Sequence, residues 1–125
     1  MNTLIFISGL ICSMTALVHL IGGQIDPVRP FLNSDLADNP KAVLLVCFHV
    51  FSAILVASGI LLSYVGWYNI ASSYDVMLFL SALYVIFALI FLGIGFYYFR
   101  FEAITQLPHW ILLLPIGVLG IMGAM

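Results

Sequence analysis

Four long apolar runs, broken only by short polar segments, constrain this chain more than any other feature. They cover about residues 4–22, 41–64, 75–99 and 107–124. Each is close to the ~20 residues that an α-helix needs to cross the ~30 Å hydrocarbon core of a bilayer. In lipid, backbone N–H and C=O groups must bond within their own segment, so runs of this kind form helices. Charge agrees with that reading. Three Lys/Arg and five Asp/Glu make up only 6% of the 125 residues, whereas a soluble domain carries about 25%. A surface facing water cannot be assembled from so few charges, so the outer surface faces the lipid bilayer. The expectation is an all-α polytopic membrane protein, a single four-transmembrane-helix bundle over residues 1–125 with sequential helices antiparallel. The net charge of -2 gives no reason to expect nucleic acid as a partner.

The first run reads as a retained helix. A cleaved signal peptide carries a basic segment ahead of its apolar core, and no Lys or Arg precedes Arg29. The breaks between runs carry turn chemistry. Gly22 and Gly23 close the first helix. Asp26-Pro27 and Arg29-Pro30 predict extended backbone, because proline pushes the preceding residue out of the α region. Asn39-Pro40 reads as a cap and first helical residue, and Thr105 as the cap of the fourth helix. All three basic residues, Arg29, Lys41 and Arg100, lie in or beside the first and third loops. The positive-inside rule sets those loops in the cytoplasm and both termini outside. Gly117, Gly120 and Gly123 recur every third residue of the last run, a pattern that lets membrane helices approach closely.

The residues able to carry chemistry gather toward the same side. His19 lies near the end of the first run, His49 inside the second, and His109 at the start of the fourth. At 1.5 Å per residue they lie about 5, 13 and 4 Å below one interface. Ser8, Cys12, Thr15 and His19 are spaced four, three and four apart, which puts them on one helical face pointing into the bundle. Ser52 shares a face with His49. Cys47 points away from it, and neither Cys12 nor Cys47 belongs to a CxxC motif. Arg29, Lys41, Arg100, Glu102 and Gln106 would form a polar mouth above the histidines.

Several functions fit this pattern. Imidazole binds transition metals and haem iron, and bundle interiors build such sites from facing helices. His19, His49 and His109 are then the ligands, with Met14 or a carboxylate as additions, and Ser8, Cys12, Thr15 and Ser52 the polar lining. A proton or small-solute path along the serine–threonine–histidine stripe is a channel or transporter alternative. A third is an accessory or scaffold subunit, in a homo-oligomer or a larger membrane complex, with no chemistry of its own. For His109, beside Trp110, anchoring at the membrane interface is the simpler role. No nucleophile–base pair can be named, so enzyme status stays open.

The sequence also has an overall look. The stretch His19-Leu20-Ile21-Gly22-Gly23, then Arg29-Pro30-Phe31-Leu32, Lys41 and Cys47-Phe48-His49, resembles small four-helix bacterial inner-membrane proteins of uncharacterised function. So does Leu107-Pro108-His109-Trp110 with the Leu-Leu-Leu-Pro-Ile-Gly run that ends at Gly117. The resemblance covers most of the chain. It implies the bacterial inner membrane and a four-helix fold, and no activity.

Overall fold

The computed structural model describes residues 1–125. Four long helices make up most of it: α1 (Thr3–Gly23), α2 (Asp38–Tyr68), α3 (Tyr74–Phe99) and α4 (His109–Ala124). There are no strands. The helical segments containing α1, α2 and α3 are long and apolar enough to cross a membrane, with mean hydropathies of 2.2, 2.4 and 2.7. Helix α4 is shorter than the apolar run 107–124. Its 16 residues span about 24 Å at 1.5 Å per residue.

Helix pairs α1–α2, α1–α4 and α3–α4 pack closely; α2 and α3 stand apart. All three close seams are antiparallel and rest on small residues. On α1–α2, Gly9 meets Ser63, Gly59 meets Ser13 and Gly66 meets Phe6. A β-carbon at Gly59 would fall 2.9 Å from the Ser13 backbone nitrogen, so this approach excludes any larger residue. On α3–α4, a β-carbon at Gly117 would lie 2.6 Å from Val85 Cγ2 and 2.8 Å from the Ser81 carbonyl oxygen. The triplet-spaced glycines therefore serve packing within the bundle. Between α2 and α3 the gap is filled by rings. Phe51 and Phe87 meet edge to face at 5.7 Å, and the fully buried Tyr84 packs against Phe87 at the same distance. Edge-on aromatic pairs keep backbones well apart while leaving the core filled.

The end carrying both termini is tied by hydrogen bonds. Asn2 caps α1 by accepting from the Ile5 N–H at 3.2 Å. Its side-chain amide donates to Tyr74 Oη at 2.9 Å and to the Gly123 carbonyl at 2.7 Å. One residue thus joins α1, α3 and α4. Tyr74 in turn donates to Asn69 Oδ1 at 2.8 Å. Asn69 adopts a left-handed conformation (φ 55°, ψ 50°) that ends α2, which asparagine tolerates better than most residues.

The other end departs from the local expectations. Extended backbone occurs at Asp26 (φ -148°, ψ 116°), ahead of Pro27. Arg29 is helical instead, and Arg29–Leu32 form one more helical turn with Pro30 in its first turn. Proline is tolerated there because the first N–H groups of a helix have no intrahelical partner. The same reason lets α2 begin at Asp38, before Pro40, with no side-chain cap from Asn39. Thr105 does not cap α4. It donates back to the Glu102 carbonyl at 3.0 Å, and α4 starts without a side-chain cap. Residues Arg100–Gln106 fold back in two short turns, burying Ala103 against Gly95 of α3.

Candidate functional site

The interior stripe on α1 is present as its spacing predicts, and most of it is solid core. Ser8 and Cys12 are fully buried. Ser8 donates to the Ile116 carbonyl across the α1–α4 seam at 2.7 Å. The Cys12 sulfur lies 3.4 Å from the Leu55 carbonyl oxygen and 3.5 Å from Tyr84 Oη. Ser52 is also buried, and donates to Phe48 O, one turn back on α2, at 2.8 Å. A hydroxyl in lipid-embedded helix satisfies itself this way when no other acceptor is at hand. These three residues pack; they do not line a void.

Above them, toward the first and third loops, the core opens into a cavity of about 610 Å³. Pockets for small molecules run from roughly 300 to 1,000 Å³. Thr15 is the one member of the predicted polar lining that reaches it. The floor is closed by Leu55 and Leu113, both essentially unexposed, so the cavity does not continue through the bundle. Phe48, Phe51 and Phe91 contribute aromatic walls, and Asp26, Thr105 and Gln106 a polar rim. Non-helical backbone borders the cavity at Asp26 and at Leu107–Pro108. In a membrane protein such backbone is tolerated where it lines a cavity.

Two of the three histidines face this space. His19 projects from α1, stacked on Phe48 with ring centroids 4.5 Å apart and set edge-on to Phe51 at 5.3 Å. His109 projects from the first residue of α4, stacked on Phe91 at 4.8 Å. Both rings are thereby held in fixed planes by aromatic neighbours on α2 and α3. His19 Nε2 is buried and has no hydrogen-bond partner. His109 is more than an interfacial anchor, since it lines the cavity from α4.

His49 does not join them. It is exposed on the outside of α2, and its neighbour Phe48 is the residue that turns inward. Depth along the axis brought His49 level with the others, but helical phase points it outward. Cys47 and Met14 are likewise exposed. No group of three or more His, Cys, Asp or Glu side chains converges anywhere in the structure. A three-histidine metal site from His19, His49 and His109 is therefore not assembled. The predicted mouth is also redistributed. Gln106 lines the cavity, whereas Arg29, Lys41, Arg100 and Glu102 do not. Arg100 instead occupies a turn with positive φ (52°). Sequence reasoning missed the inward-facing Phe48, Phe51 and Phe91. A hint lay in the order Phe48-His49, which obliges the two rings to point to different sides of a helix.

The chain matches no protein-family model, and comparison with curated proteins and with solved structures finds no match. The site must be read from its own geometry.

Proposed function

We propose that this protein binds a small molecule inside the membrane, in the cavity between His19 and His109. One observation carries the reading: imidazoles from two helices, His19 of α1 and His109 of α4, line a single cavity together with Phe48, Phe51 and Phe91. A ligand in the cavity gains the packing of the aromatic walls and meets the polar side chains of His109, Thr15 and Gln106. The stacked phenylalanines fix both rings before the ligand arrives, so little ordering remains to be done on binding.

The test is native mass spectrometry of the protein purified gently from its own membranes. The expected result is an adduct of small-molecule mass that disappears in a His19→Ala/His109→Ala variant that remains folded. Wild-type protein with no adduct, and with no uptake from a lipid extract, overturns the proposal.

A second reading is favoured by the number of imidazoles. Two suffice as the axial ligands of a haem iron, whereas a zinc site takes at least three protein ligands. It predicts a Soret absorption band in protein isolated from haem-replete cells, lost on either histidine substitution; colourless protein with an organic adduct decides for the first reading. We further propose a bacterial inner membrane setting with the cavity on the cytoplasmic side. Support comes from the resemblance and from Arg29, Lys41 and Arg100 at that end of the bundle. Reporter fusions at both termini are expected to read outside the cytoplasm.

A further inference from the structure

The α1–α4 seam behaves differently along its length. It is closed where Ser8 bonds Ile116 and where Gly123 packs on Ile5. Farther along, a second void of about 240 Å³ lies between the helices, lined by Val18 of α1, Pro108, and His109, Ile111 and Leu112 of α4. Four of these five residues, all but Ile111, also line the histidine cavity. The two spaces therefore share a wall at His109 and Leu112. Val18 and Ile111 at the outer rim are exposed, on helices whose surroundings are lipid. Gly22, one turn beyond Val18, has no atom within 4 Å of the place where its β-carbon would be, so nothing covers this side of α1.

We infer that the histidine cavity exchanges its ligand sideways with the bilayer, through a portal between α1 and α4 framed by Val18 and Ile111, and that the ligand is an amphiphile with a non-anionic polar head. The inference rests on the cavity being a binding site, as proposed above. The side void is almost wholly apolar, which suits a hydrocarbon tail. The main cavity offers His19, His109, Thr15, Asp26 and Gln106 to a head group. Its lining contains no Lys or Arg. An anionic head brought there from water or the headgroup layer would lose solvation and meet Asp26 without a compensating cation, which is strongly unfavourable. A hydroxyl, carbonyl or amine head meets no such penalty and can hydrogen-bond the side chains of His109 and Gln106.

The experiment uses the full chain in lipid nanodiscs and three photoreactive diazirine probes: a long-chain alcohol, the matching long-chain carboxylate, and a short water-soluble alcohol. The long-chain alcohol is expected to label the peptides carrying Thr15–His19 and His109–Leu113. Val18→Trp, which fills the portal from α1, should lower that labelling about tenfold when it is read at short times, before slower routes of entry fill the cavity. Ile111→Trp, which fills it from α4, should do the same, so the result does not depend on one variant folding. Labelling by the long-chain alcohol that survives both substitutions overturns the portal. If the water-soluble alcohol labels the same peptides in that case, the cavity reading stands and access is from the loop side. Equal labelling by the carboxylate overturns the non-anionic head. No labelling of these peptides by any probe overturns both the portal and the binding site.

Discussion

At the end where both termini lie, Asn2 bonds Tyr74 and Gly123, Tyr74 bonds Asn69, and glycines on α1, α2 and α4 let the helices touch. At the opposite end the same helices part around a cavity of about 610 Å³, and a buried imidazole nitrogen is left without a partner. The difference is one of side-chain size at the seams. Gly and Ser let backbones approach, and van der Waals contact then holds helices together in lipid, where no hydrophobic force between them is available. His19, Phe48, Phe51, Phe91 and His109 are too large for such an approach and leave space that their rings do not fill. The closed end supplies stability, and so the open end is free to remain unfilled until something occupies it.

This contrast can be broken most sharply at Gly117. Gly117→Leu must displace Val85 and the Ser81 carbonyl, and overpacking of this kind costs about 3 kcal/mol. The unfolding midpoint in mixed SDS micelles should drop markedly; a midpoint equal to wild type would show that the α3–α4 seam is not tight. Next in size is Asn2→Ala, which removes a helix cap and two hydrogen bonds between helices. A loss of about 1–2 kcal/mol is expected in the same titration. An effect near zero would mean that the terminal end is not held by that residue. Ser81→Ala should act with the opposite sign. Ser81 Oγ is buried without a partner, and deleting such a hydroxyl gains about 1 kcal/mol. A loss of stability there would reveal a bond to Ser8 that the present arrangement lacks. The smallest effects belong to the open end. Gly22→Ala meets no atoms and should change stability by no more than about 0.5 kcal/mol, while His19→Ala gives up its ring contacts with Phe48 and Phe51 and should cost about 1 kcal/mol. A large loss on His19→Ala would make that residue a packing element, and would count against its reserved role in binding.

How much was readable in advance differs between residues of one helix. The Ser8, Cys12, Thr15 and His19 stripe was legible because a period of 3.6 residues carries face information whatever the helix packs against. Which of the four residues meets a void was not legible, since that depends on the local distance between α1 and α4. His49 shows the same limit from the other side. Its depth followed from rise per residue, but its outward direction follows from Phe48 packing against Gly23 and His19. The capping assignments at Asn39 and Thr105 failed because helix ends respond to what the chain does next. Here the segment before α4 folds back onto Gly95 instead of entering the helix directly.

The sequence by itself determined that the chain is helical, that its helices are apolar enough to cross a membrane, and that its basic residues and histidines collect toward one end. Those outcomes follow from backbone bonding in an apolar medium and from the number and order of charges, neither of which needs a partner helix. Tertiary structure alone decided that two histidines, and not three, line a cavity, that the basic residues stay outside it, and that a second recess lies beside it between α1 and α4. Those features depend on how far apart the helices settle, which is set by which small residues meet which across each seam.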